Sequence, residues 1–261
     1  MKAMADARAA DEVRQAIESR SLFNSPMGKM TGVGHIAPDI EGVIKRGLNA
    51  FIAEAEAHIA RLDLTKPEDF AKLPFLKAVI IADKAAVRWA GRFAALAREK
   101  AAIEPNDDRK RELEEIAAVC ERVPASPARN FREAVQAAAF IMASVQIEQP
   151  GVSISTGRLD QYFFPYHKKD IDDGTMNAAR ALELLECLWI KLAESRRVSP
   201  EAGTFALNGY PIWMALTVGG QTGDGYDATN DISYMFLDVC SNLQIHEPML
   251  TARIHKRSPD R

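Results

Sequence analysis

Apolar residues recur at helical spacing over roughly the first 196 positions and give way to short β-branched and aromatic runs from about residue 197. Ala5 to Arg20 reads as a weakly amphipathic surface helix, followed by an extended loop from Ser21 to Gly34 marked by Asn24, Pro26, Gly28 and Gly32. Pro38 is expected in the first turn of a helix running to about Leu62, with Ile40, Val43, Ile44, Leu48, Phe51, Ile52 and Ile59 on its inner face. A second helix begins after Leu73-Pro74, and its apolar stripe is read as Phe75, Val79, Ile80, Val87, Trp89, Phe93 and Leu96. Asn106 caps a third, with Asp107 and Asp108 in the first turn, where they favour the helix dipole. Asn130 opens a fourth, from Phe131 to about Gln146, which is apolar nearly all round and so should be buried. Thr175 is expected to cap a helix to Arg196, and residues 198–211 are looser.

The period then changes. Trp213 to Val218 reads as a buried strand ended by Gly219-Gly220, and Gln221 to Ala228 as a turn-rich loop. Thr229 or Asn230 caps a helix to about Asn242, and Leu250 to Ile254 is a second strand. Strand, helix and strand in that order predict a crossover onto a parallel sheet.

The stretch from Glu148 to Tyr166 fits neither period. Pro150 and Gly151 break the helix, Ser153, Ser155 and Thr156 precede Gly157, and Arg158, Asp160 and Gln161 sit among Tyr162, Phe163, Phe164 and Tyr166. Charge crowded by aromatic rings is partly buried and must be paired or hydrogen-bonded. One reading makes Arg158 and Asp160 a structural ion pair clamping a loop. The other makes Ser153 and its neighbours the wall of a substrate pocket. His35, between a glycine and a helix start, likewise either caps or braces that helix or presents its imidazole to a pocket. His58 lies mid-helix among charged residues and should be solvated.

Composition narrows the classes. At 47% hydrophobic the 261 residues can bury a substantial core, and a net charge of −3 disfavours nucleic acid and anionic membrane as partners. No apolar run approaches the roughly 20 residues that span a bilayer, and the charged start lacks a signal peptide's apolar stretch, so the expectation is a cytoplasmic protein. Cys120, Cys187 and Cys240 lack metal-site spacing and are each expected as small buried hydrophobes. The acids near Asp224 and Asp227 do not alternate as a calcium loop requires, and no Gly-Lys-Ser/Thr follows Gly219-Gly220, so no metal or nucleotide is expected.

Four ordered motifs carry a resemblance. Gly157-Arg158-Leu159-Asp160-Gln161-Tyr162-Phe163-Phe164-Pro165-Tyr166 resembles the signature loop of the glycyl radical enzymes, the pyruvate formate-lyase-like group that includes glycerol dehydratase-like members. Gly34-His35-Ile36-Ala37-Pro38-Asp39, the run from Val123 to Gln136, and the run from Leu216 to Asn230 resemble the same family in the same order. The resemblance implies one pyruvate formate-lyase-like domain over residues 1–261, helical to about 196 and opening a half-barrel from about 197. The fold class implied is therefore α/β, a helix-rich N-terminal part plus part of one half of a ten-stranded α/β barrel.

It also implies a lyase of the dehydratase or decarboxylase type acting on a small organic substrate, with formate acetyltransferase as the alternative. The family's glycyl radical is installed by an iron-sulfur activase that uses S-adenosylmethionine, and its cysteine becomes the attacking thiyl radical. The implied partners of an intact enzyme are that activase and a second copy. Neither the Gly-Cys loop nor the Arg-Val-x-Gly-Tyr-like motif occurs here, so the chain is expected to be an internal or truncated piece, inactive alone, binding no cofactor itself. It is alternatively a non-catalytic half that pairs with a separate C-terminal chain. Carried over by position, His35 and Ser153 match residues that contact a substrate hydroxyl, and Trp213 matches an aromatic pocket wall flanked by Ile212 and Met214. Val152 stands where glycerol-dehydratase-like members often have histidine, which points away from glycerol, and the bulky apolar wall at Trp213 implies a less polar or larger substrate, such as an arylacetate or another hydrophobic acid. Arg158, Asp160, Gln161 and Tyr162 keep a structural role in the loop.

Overall fold

A computed structural model describes residues 34–148, 153–195 and 213–259. The expected helix at Ala5 to Arg20, most of the loop after it, Val152, Ile212 and the 198–211 segment lie outside the described residues.

The long helix expected from Pro38 is two helices, α1 (Ile40–Arg46) and α2 (Leu48–Ile59). Asp39 is the cap, its carboxylate accepting from Gly42 N, so Pro38 precedes the helix and His35 does not cap it. The break lies at Gly47, whose φ of 72° belongs to the left-handed region that favours glycine. A Cβ there would lie 2.5 Å from the Ser126 carbonyl carbon. Backbone passes this close because the 124–128 segment bonds across the break, with Leu48 N to Pro124 O at 2.8 Å and Ala128 N to Ile44 O at 2.9 Å.

After the short α3 (Pro67–Phe70) comes α4 (Leu73–Ile103), whose 31 residues span about 46 Å. Its buried face differs from the one expected. Ala90, Ala94, Ala97 and Ala101 are buried at i, i+4 and i+7 spacing, whereas Phe75 is 70% exposed and Phe93 and Leu96 are also exposed. A stripe of methyl groups lets α5 (Asp107–Arg122) approach closely, which bulky rings along the seam would prevent. Trp89 instead leans to the flank, meeting Phe93 and Phe140 edge-on at 5.3 and 5.6 Å between centroids. Asn106 caps α5 as expected, and Asn130 accepts from Glu133 N at the start of α6 (Phe131–Glu148). That helix is buried along most of its length.

The Glu148–Tyr166 stretch is not a loop throughout. Helix α7 (Leu159–Asp172) begins inside it and carries Pro165 within its span. Besides Asp160, its buried positions are Leu159, Phe163, His167 and Asp170, a helical spacing hidden by a proline and two polar residues. The next helix, α8 (Ala178–Ala193), is capped by Asn177 and not by Thr175, whose hydroxyl closes α7 on the Asp170 carbonyl.

Strand β1 (Ala215–Gly219), α9 (Asp231–Leu243) and β2 (Met249–Arg253) follow as expected, and the strands pair in parallel with Ala215 opposite Met249 and Gly219 opposite Arg253. Asn230, not Thr229, caps α9 in a capping box with Ser233. On the other edge of β1, Thr156 N bonds Ala215 O and Thr217 N bonds Gly157 O, with a parallel bridge between Gly157 and Leu216. β1 is therefore central and largely buried, while β2 is largely exposed. One apolar core joins the helical and strand-bearing parts, through Ile44, Phe131, Met142, Ile154, Phe163, Leu185, Trp189, Leu216 and Phe236.

The cysteines divide. Cys120 is buried and its thiol is pushed up to about 11 by desolvation, Cys240 is half-buried against the core, and Cys187 is exposed, contrary to expectation. His58 is exposed, as expected. No described helix is long and apolar enough to cross a membrane.

Candidate functional site

Backbone bonding brings three separated segments together at one edge of the small sheet. Ser155 N donates to Ile36 O at 2.9 Å, and Thr156 N donates to Ala215 O at 3.2 Å. His35 is one residue from the first bond, Ser153 two residues from it, and Trp213 two residues from the second. Each of the three has a left-handed backbone, with φ of 61°, 58° and 52°. Non-glycine residues in that region are uncommon, and they gather where surrounding structure has over-determined the backbone, often at functional sites. The fourth such residue among those described, Gln244, ends α9 as an ordinary left-handed cap. His35 is exposed, Ser153 half-buried, and Trp213 36% exposed.

The structural group behind this edge is organised differently from an Arg158–Asp160 ion pair. Arg158 gives its guanidinium to the carbonyls of Gly219 and Gln221, the second at 3.2 Å. Asp160 is fully buried and accepts from four donors: Gln161 N at 2.8 Å, Gln161 Nε2 at 2.9 Å, Gly219 N at 2.8 Å and Ser233 Oγ at 2.7 Å. Gln161 also donates to Ala228 O at 2.7 Å, and Asn230 Nδ2 to Asp160 O at 3.3 Å. One carboxylate thus fastens the start of α7 to the end of β1 and the start of α9. The physical reason is accounting: a buried charge persists where every lone pair meets a donor. Tyr162 packs partly buried against the core, and its hydroxyl would lie 2.8 Å from a Cβ at Gly157, so that position, with φ of 74°, favours glycine.

Two residues carry weight that the sequence pattern did not signal. Glu247 is buried at 7% exposure and accepts from Trp213 N at 2.7 Å. His167 is buried against Phe131, ring centroids 5.4 Å apart, with both ring nitrogens lacking a hydrogen-bond partner among the described residues. Burial holds its imidazole below the usual histidine range, against the opposing pull of Asp231 and Asp170. A polar residue at a core spacing, Leu159-x3-Phe163-x3-His167, was the available signal for it.

A helix-rich α/β arrangement with a small parallel sheet, its strained residues collected at one sheet edge, defines part of an α/β barrel enzyme fold. The chain belongs to the pyruvate formate lyase-like family, whose model matches residues 1–261. It is similar to the isethionate sulfite-lyase of Oleidesulfovibrio alaskensis, 45% identical over 251 residues that cover 95% of this chain and 30% of that protein. A probable dehydratase of Escherichia coli is 36% identical, over 87% of this chain and 29% of its own length. Among solved structures, the glycerol-bound B12-independent glycerol dehydratase from Clostridium butyricum superimposes with a TM-score of 0.89 at 37% identity, over 98% of this chain and 32% of that one. The chain thus spans about 30% of the length of the relatives it matches.

Proposed function

We propose that the chain forms one wall of the substrate pocket of a glycyl radical lyase, with His35 and Ser153 as hydrogen-bonding groups for substrate and Trp213 as an apolar wall. The observation that carries this reading is the gathering of three left-handed, non-glycine residues from distant segments at one sheet edge of this family's fold. Within the lyases, cleavage of a carbon–sulfur bond in a small sulfonate is the favoured branch. Its support is the higher identity to the sulfite-lyase, 45% against 36% and 37% for the two dehydratases. A dehydratase is the second reading, supported by the fit to glycerol dehydratase and by the hydroxyl-binding chemistry of His35 and Ser153.

In an intact enzyme a glycyl radical, installed by an S-adenosylmethionine iron-sulfur activase, supplies through a cysteine thiyl the hydrogen abstraction that starts the reaction. The Gly-Cys and terminal glycine motifs are not among these 261 residues, so the part assigned to this chain is binding and orientation, with no turnover by itself.

The test is a chimera in which these residues replace the aligned segment of the Oleidesulfovibrio sulfite-lyase, activated anaerobically and offered isethionate, glycerol and propane-1,2-diol. Sulfite release from isethionate supports the favoured branch. Diol or glycerol dehydration without sulfite release selects the dehydratase. A folded, radical-bearing chimera inactive on all three overturns the lyase reading.

A further inference from the structure

Trp213 combines two features that oppose each other energetically: its backbone is left-handed, with φ of 52°, and its side chain is more than a third exposed. A left-handed backbone is disfavoured for an L-residue, and more than a third of this one stays exposed. Something else must hold it. The residues after it are fixed by ladder bonds, since Met249 N donates to Met214 O at 2.8 Å and Thr156 N to Ala215 O at 3.2 Å. Among the described residues, the turn at Trp213 itself is held by the side chain of Glu247, whose Oε1 accepts the Trp213 N–H at 2.7 Å.

The placement of Glu247 makes this bond hard to replace. It stands two residues before β2, in the segment between Gln244, the left-handed cap of α9, and Met249, the first residue of the strand. Extending the parallel register by two positions sets it beside Trp213, which lies two residues before β1. The carboxylate is itself buried, and desolvating a carboxylate is costly unless a donor meets it. A charge-assisted bond to a backbone N–H is among the stronger neutral-to-charged hydrogen bonds. The acid therefore fixes the φ of Trp213, and with it the direction in which the indole leaves the sheet edge.

We propose that Glu247 is a positioning residue for the indole of Trp213: its buried carboxylate locks the left-handed turn that presents the ring at the edge shared with His35 and Ser153. The consequence for substrate rests on the reading of that edge as a pocket wall, whereas the Glu247–Trp213 coupling stands without it. A residue that merely stabilised the start of β2 would affect the whole chain; a positioning residue acts on one ring.

The chain has three tryptophans, at 89, 189 and 213, so 5-fluorotryptophan labelling with fluorine NMR reads the effect by site, W213F assigning the third signal. E247A is expected to shift or broaden the Trp213 signal while those of Trp89 and Trp189 stay in place, and E247Q, which keeps an acceptor oxygen, to restore the wild-type position. E247D withdraws the acceptor by one methylene and gives the same readout should E247A not fold. An unmoved Trp213 signal, a shift of all three signals in the folded E247D variant, or no rescue by E247Q overturns the proposal. The pocket reading is tested separately, by isethionate turnover in the chimera with the sulfite-lyase. A Trp213 signal that responds to E247A while the folded, radical-bearing chimera releases no sulfite leaves the coupling intact and removes the pocket.

Discussion

Replacing Asp160 removes the acceptor on which three elements converge, and the structure sets the size of the effect. Three of its four donors have an alternative: Ser233 can rotate its hydroxyl, the Gln161 side chain still reaches Ala228 O, and Gln161 N also donates to Arg158 O at 3.0 Å. The fourth, the backbone N–H of Gly219, does not. An unsatisfied buried donor costs about 1–3 kcal/mol, and D160A should lower stability by about that much. D160N is graded. Three donors face Oδ2 and one faces Oδ1, so an asparagine turns its carbonyl to the crowded side and opposes its NH2 only to the Gln161 N–H. Since Gln161 N keeps the Arg158 carbonyl as a partner, the cost stays below the alanine value. Urea unfolding followed by circular dichroism measures both, with the midpoint shift scaled by a common m-value. An alanine variant indistinguishable from wild type, or an asparagine variant less stable than the alanine one, would refute the assignment of Asp160 as the junction.

Two glycines should respond oppositely to alanine. G47A places a side chain in the left-handed region and against the Ser126 backbone, and should cost at least about 1–2 kcal/mol in thermal or urea unfolding. G91A, in the middle of α4 with nothing within 4 Å of its Cβ, should stabilise by up to about 1 kcal/mol. His167 should make stability depend on pH. Its folded-state pKa lies below the unfolded value near 6.5, so the unfolded chain binds the extra proton. The neutral-histidine contribution is fully present above that value and is lost as pH falls below it, by about 1.4 kcal/mol for each unit of depression. H167F, packed against Phe131 in the same edge-on manner, should flatten the slope of unfolding free energy between pH 7 and 5. An unchanged slope would mean that the imidazole is not the group responsible.

What the sequence made legible was whatever rests on local spacing. The long apolar patterns of α4 and α6, the Asn106 and Asn130 caps, and the strand–helix–strand order ending in a parallel pair are all local signals, and all are present. Where the sequence misled, a competing contact from elsewhere in the chain decided. Gly47 breaks a helix-like pattern because the 124–128 backbone needs the space. Alanine displaced the rings on α4 because a neighbouring helix packs there. Pro165 and two polar residues disguised α7, whose start is fixed by a carboxylate bonded to residues 59 and 73 positions away. Such partners have no periodicity to read. The same holds for the sheet edge: His35, Ser153 and Trp213 were singled out by family resemblance, but their shared left-handed backbone and the acid behind Trp213 are properties of the fold alone.

The claim that this edge is a substrate wall is tested most directly by kinetics in the activated chimera with the sulfite-lyase. H35A and S153A should each retain the radical yield of the parent chimera while losing ten-fold or more in kcat/KM for the substrate it turns over, the equivalent of at least one lost hydrogen bond of about 1.4 kcal/mol. Unchanged kcat/KM in both variants would contradict the account and leave these residues as scaffold.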